Sequence, residues 1–320
     1  MFMSAVLGVP GIKIGHYTDK DNITGCTVVL CEQGAVAGVD ISGSAPGTRE
    51  TELLRPGKLV EKIQAVILSG GSAFGLDTAT GVMRYLEERG FGHETSAGKV
   101  PIVPAAIIYD LNIGNSKARP GASEGYEACL AATDGEVTEG CVGAGTGAAV
   151  GKILGIERAT KSGLGIANYR IRDGIIVAAL VVVNAFGDVI DPKTGEIIAA
   201  PRYPSGGFIS TVEILKKGEF IKGTLPFNTI IGIVATNAQL NKEQTNRLAQ
   251  VAGAGIARAV NPCHTPYDGD VLFTLSLGEK KGDFMTLGAL AAEVVSAAIL
   301  RGVLQAESMG GIPAARDVKR

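Results

Sequence analysis

Ile175 to Val183 is apolar at every position, and Ile230 to Ala235 is broken only by Gly232. A strand with one wet face alternates polar and apolar residues; uninterrupted runs of this kind belong to strands buried in a core. Long helical patterns stand around them. One runs from Phe74 to Arg89, with Gly90 at its stop, and another from Ser123 to Ala132. A third starts at Asn241 and reaches about Val260, and the last spans Met285 to Leu304. Further strand-like runs lie at Ala65 to Leu68, Ile102–Val103, Ile107 to Tyr109 and Val271 to Leu277. Gly25 to Val39 alternates β-rich runs with glycine and reads as paired strands. Several neighbouring strands lack a helix between them, which excludes a regular βαβ series. A layered α/β architecture with helices outside sheets fits this order. Asp188 to Phe227, turn-rich and without period, reads as an exposed linker.

Composition narrows the class of function. Forty-five glycines and no tryptophan favour tight turns and closely packed small-residue surfaces. A net charge of −2, with lysine and arginine scattered, gives no electrostatic footprint for nucleic acid. Cys26, Cys31, Cys129, Cys141 and Cys263 are odd in number and share no CxxC spacing, so reduced thiols and a cytoplasmic location are expected. No basic stretch precedes an apolar run at the N-terminus, so no secretory signal is expected. Met285 to Leu304 is long enough to span a bilayer, but it carries Glu293 and Arg301 and reads as a helix buried against protein, with no membrane partner.

Four segments could carry chemistry. Gly70-Gly71-Ser72-Ala73-Phe74-Gly75 approaches a nucleophile elbow, but Phe74 occupies the second glycine position and no histidine is evidently paired with Ser72. A Gly-rich strand-to-helix turn is the preferred reading. Gly143 to Lys152 mimics a phosphate loop, yet Thr146 replaces its first glycine and Ile153 the Ser or Thr after the lysine, so no nucleotide cofactor is expected. His264-Thr265-Pro266-Tyr267-Asp268-Gly269-Asp270 offers one imidazole and two carboxylates to a metal, and equally a turn built on Asp-Gly. Finally, Asn228-Thr229 closes the irregular stretch and opens a buried strand. A cut there would leave Thr229 as a new N-terminus held by the core. Asn115-Ser116 is a rival junction, but no apolar strand follows it.

Taken together, GGSAFGL (Gly70 to Leu76), PIVPAAIIYD (Pro101 to Asp110), GAGTGAAVGK (Gly143 to Lys152), VVVN (Val181 to Asn184), NTIIGIVATNA (Asn228 to Ala238) and HTPYDGD (His264 to Asp270) resemble, in order and spacing, the DmpA-type L-aminopeptidase/D-esterase and β-peptidyl aminopeptidase family, which includes the nylon-oligomer hydrolases. The resemblance implies a four-layer α/β/β/α sandwich, of the type shared with ornithine acetyltransferases. It also implies a single hydrolase domain cut into a large chain, 1–228, and a small chain, 229–320, in a homo-oligomer of tetramer size or larger. Carried over by motif, Asn228–Thr229 is the self-cleavage bond and Thr229 the nucleophile. Tyr109, Lys152, Asn184, Asp268 and Asp270 fall on active-site positions. Asn184 and Tyr109 are then oxyanion donors or a proton relay, Lys152 favours developing negative charge, and the two aspartates orient the Thr229 hydroxyl and amine in place of a metal. No cofactor is implied.

Two features lean toward the nylon-oligomer branch: threonine replaces the aminopeptidases' serine, and Asp268-Gly269-Asp270 their Ser-Gly-Glu. Ile107 stands where those aminopeptidases are expected to carry an acid for the substrate amine. The expected substrates are small peptides, amino-acid amides or ω-amino-acid oligomers. Acyl transfer and an uncleaved, non-enzymatic binding protein are the alternatives.

Overall fold

A computed structural model describes residues 6–171, 173–218 and 228–319. Its main strands are β1 (Lys13–Asp19), β2 (Thr24–Ile41), β3 (Lys62–Ser69), β4 (Ala105–Ile107), β5 (Leu164–Arg170), β6 (Ile176–Asn184), β7 (Thr229–Ala238) and β8 (Val271–Lys280). The principal helices are α1 (Thr78–Glu88), α2 (Ala122–Leu130), α3 (Lys242–Ala259) and α4 (Phe284–Leu304).

Hydrogen bonds run without a break through β5-β6-β7-β8-β2-β3-β4 and a short edge strand at Thr48–Arg49, with β1 also on β2. The 18-residue β2 belongs to two layers at once. Its first half pairs with β1 and β3, its last six residues pair with β8, and its register against β3 shifts between Leu30 and Ala35. The alternation of side chains sorts the core accordingly. Val29, Val66, Leu180, Val182, Ile231, Ile233 and Phe273 meet in one cluster between the two halves. Val28, Leu30 and Ile67 turn the other way, under α1 and α2. Val181, Val183, Ile230 and Val234 pack beneath α3 and α4. The result is helix, sheet, sheet, helix: the four-layer sandwich that the motifs imply.

The small residues serve as expected. A Cβ on Gly255 of α3 would lie 2.2 Å from the Ala292 carbonyl of α4, so the two helices approach at a distance only glycine allows. Asn241 starts α3 by accepting the Gln244 N–H at 2.8 Å, while the Gln244 side chain accepts the Asn241 N–H at 3.0 Å. Helix α4 is long and apolar enough to cross a bilayer, yet 61% of that window is buried within the protein, against α3, β5 and β6.

Three readings are corrected. Gly25 to Val39 is one bulged strand, not a pair. The helix expected from Phe74 begins with a 3-10 segment, Ser72–Asp77, and turns α-helical only at Thr78. Asp188 to Lys217 is no exposed linker: it contains strands at Asp188–Ile190 and Ile197–Ala199 and a helix at Thr211–Lys217. Buried Asp188 ties this segment together, accepting the Thr211 N–H and hydroxyl. The remainder of the expected linker, 219–227, lies outside the described residues.

Candidate active site

Thr229 is the first residue of β7 and lies opposite Asn184, the last of β6, in an antiparallel ladder. Both are in phase with the residues that face the space between the sheets, Ile231 and Ile233 on one strand and Leu180 and Val182 on the other. Thr229, Asn228, Asn184, Lys152, Asp268 and Asp270 are each no more than 3% exposed.

The Thr229 hydroxyl donates to the carbonyl oxygen of Asn228, the residue before it. That same oxygen accepts the Gly269 N–H at 2.8 Å, and the Asn228 N–H donates to the Tyr267 carbonyl at 3.1 Å. The Asn228–Thr229 peptide is therefore held against the turn formed by residues 267–269. Residues Ser42 to Ala45 clamp that turn from outside, with the Ala45 N–H on the Asp268 carbonyl at 2.9 Å. A Cβ on Gly269 would lie 2.4 Å from the Ala45 carbonyl, so this position admits no side chain.

Lys152 reaches the other side of the pair. Its ammonium donates to the Asn184 side-chain oxygen at 2.7 Å and main-chain oxygen at 3.0 Å. Asn184 Nδ2 in turn donates to the Tyr109 carbonyl at 3.3 Å. The amide is thus oriented, oxygen to the lysine and nitrogen away from it. Burial lowers the Lys152 pKa to about 7, opposed by the negative charges of Asp268 and Asp110. At neutral pH the ammonium is poised to titrate.

The two aspartates are turned to different partners. Asp268 accepts from the Thr265 N–H at 2.8 Å and its hydroxyl at 2.6 Å; burial, and then the charge of Asp270, push its pKa up. Asp270 accepts the Ile230 N–H at 2.7 Å on one oxygen and His264 Nδ1 at 2.8 Å on the other. Among the described residues neither carboxylate bonds the Thr229 hydroxyl, which lies on the Asn228 carbonyl instead. All six residues expected at the site do converge, Tyr109 half-buried and contributing its carbonyl.

Three further groups contribute in ways that the sequence does not announce. The Gly269 N–H is a main-chain donor, and only its place inside an Asp-Gly-Asp turn hinted at it. His264, a candidate metal ligand by sequence, pairs with Asp270. Asp110, 2% exposed, accepts from the Thr24 hydroxyl at 2.8 Å and the Gly71 N–H at 2.7 Å, anchoring the turn beside Tyr109. Ser72 has its N–H on the Ile108 carbonyl at 3.0 Å, as a structural turn would. Burial pushes the Cys31 and Cys129 thiols up to about 12, so neither is a thiolate nucleophile at neutral pH.

The model of peptidase family S58 matches residues 4–316. The chain belongs to this family. Among S58-like relatives, an uncharacterized aminopeptidase of Mycobacterium tuberculosis (strain ATCC 25618 / H37Rv) is 40% identical over 348 residues, covering 99% of this chain and 98% of its own. A 6-aminohexanoate-oligomer endohydrolase of Paenarthrobacter ureafaciens is 29% identical over 309 residues, covering 91% and 83%. In fold, the chain is similar to the L-aminopeptidase D-Ala-esterase/amidase of Ochrobactrum anthropi, a variant of the Ntn-hydrolase fold, with a TM-score of 0.72 and 20% identity over 97% of this chain and 88% of that one. A β-aminopeptidase of Burkholderia sp. gives 0.71 and 21% over 98% and 91%. The S58 protein described here is accordingly an aminopeptidase or amidase-type hydrolase, as its motifs implied.

Proposed function

We propose that this S58 hydrolase cuts its own Asn228–Thr229 bond and then uses Thr229 as an N-terminal nucleophile on small amides. The observation that carries this reading is the Thr229 hydroxyl lying on the carbonyl of the preceding peptide, whose oxygen already has a main-chain donor, Gly269. In the uncut chain, Oγ1 attacks the Asn228 carbonyl carbon, and the charge that grows on its oxygen falls on the Gly269 N–H. The C–N bond then breaks, the Thr229 nitrogen takes up the hydroxyl proton, and water hydrolyses the ester to give an Asn228 carboxylate and a free Thr229 amine.

That amine supplies the missing base. An α-amino group titrates near about 7.7–8.0, so at neutral pH a useful fraction can take the proton from Oγ1. The substrate carbonyl occupies the position vacated by Asn228, with Gly269 N–H and the Asn184 amide as donors and Lys152 as the nearby cation. The amine product leaves with the proton, and water releases the acid from the ester of Thr229.

The substrate class follows from the relatives' activities and from Ile107. Small peptides, amino-acid amides and ω-amino-acid oligomers are the proposed range. Buried Ile107, whose side chain packs on Gly47, offers no carboxylate to a substrate amine, which supports tolerance of uncharged ends. Intact-mass measurement and N-terminal sequencing test the proposal directly. The parent should yield two pieces joining at 228/229, and Thr229→Ala one piece without amide turnover. A single stable parent chain would favour a binding protein, and an active parent without a threonine-led fragment would remove the mechanism.

A further inference from the structure

Resting on that reading of Thr229, we propose that His264 is a positioning residue, which through Asp270 fixes the backbone carrying the nucleophile. The connection is short. His264 Nδ1 bonds Asp270 Oδ2 at 2.8 Å, the His264 N–H adds a longer bond of 3.3 Å to the same oxygen, and Asp270 Oδ1 receives the Ile230 N–H at 2.7 Å. Ile230 N is joined to the Thr229 carbonyl carbon. Residue 270 also stands just before the first pairing of β8 with β7, at Val271 and Ile231. Its carboxylate therefore continues the ladder by one bond where main-chain pairing has ended.

Charge gives the imidazole its purpose. Asp268 and Asp270 are two residues apart and both 2% exposed. Two buried carboxylates at this separation repel unless each is compensated. Lys152 acts on Asp268; His264 bonds Asp270. The titratable groups that bear on the imidazole are the Asp270 carboxylate and the Cys263 thiol, and with the Asp270 bond as the larger influence its pKa is raised to about 10. His264 is thus an imidazolium at neutral pH, and its side chain, 27% exposed, can exchange that proton with solvent.

The backbone points the same way. His264 has φ +52°, in the left-handed region where residues other than glycine are uncommon. A turn with no use for the side chain would be better served by glycine or asparagine. Among the described residues no hydrogen bond joins the imidazole to Thr229, and its effect passes through Asp270.

The test compares parent, His264→Gly, His264→Asn and Thr229→Ala, using intact mass for maturation and a chromogenic amino-acid anilide for turnover. Glycine suits the left-handed backbone, so its substitution removes the imidazole without new strain. His264→Gly should mature more slowly and lose on the order of 100-fold in kcat, the cost of a misplaced reacting group. KM should stay within about twofold, since substrate binding is untouched. Added imidazole should restore part of kcat. His264→Asn, which keeps a donor, should fall between and lack the parent's loss of activity as pH rises toward 10. A His264→Gly protein with parental kcat, or one whose deficit ignores imidazole while its melting temperature falls, overturns the positioning role. Retained turnover in Thr229→Ala instead overturns the nucleophile assignment, so the two failures are told apart.

Discussion

Asn184 faces Thr229 across the β6–β7 ladder and receives the Lys152 ammonium on both of its oxygens. One residue thereby fixes the cation and presents its own amide beside the proposed nucleophile. Asn184→Ala should lower kcat by about 10²–10³-fold, the usual cost of losing a polar donor at a developing oxyanion. It should also destabilise the fold by roughly 1–3 kcal/mol, because buried Lys152 loses an acceptor. Steady-state kinetics and urea unfolding separate the two effects.

Gly269 offers a main-chain test. The Cβ of Gly269→Ala meets the Ala45 carbonyl, and the turn must shift to admit it. The N–H then leaves the Asn228 oxygen, and maturation, followed by intact mass, should slow by about 10²-fold or more. Maturation at the parental rate would show that this N–H carries none of the charge.

Lys152 and His264 should tilt stability in opposite directions with pH. For Lys152 the folded pKa, about 7, lies below the unfolded value of 10.5, so the unfolded chain binds more protons between them. This group makes the protein more stable as pH rises from 7 toward 10.5, and Lys152→Met should remove that gain. Denaturant midpoints read across that range provide the check.

For His264 the folded value, about 10, lies above the unfolded 6.5. Its contribution is complete below pH 6.5 and disappears as pH rises through about 10. His264→Asn should be less stable than the parent near pH 6, with the gap closing by pH 10. A gap that stays constant across that interval would mean that the Asp270 pairing does not depend on the imidazole's charge.

Much of this was legible in the chain because it is local. Apolar runs without alternation marked β6 and β7, Asn241 marked the start of α3, and Thr229 was conspicuous as a hydroxyl at the head of a buried strand. The family motifs then implied the layers, and named six residues that the fold brings together. What escaped depends on contacts distant in sequence. Gly25 to Val39 reads as paired strands, yet it is one strand with a bulge between Leu30 and Ala35, because its two ends are claimed by different layers. Asp188 to Lys217 has no period of its own; it is ordered by a carboxylate meeting Thr211, 23 residues away. The His264–Asp270 pair needed the left-handed backbone at His264, which a histidine code does not announce.

The interior places of β7 and β8 bear on the fate of a cut chain. Both strands arise after residue 228, yet they are hemmed in by β6 on one flank and β2 on the other, both from before it. Scission at 228/229 would therefore release no fragment. The two products would stay interwoven, melt together in a single transition, and come apart only under denaturant.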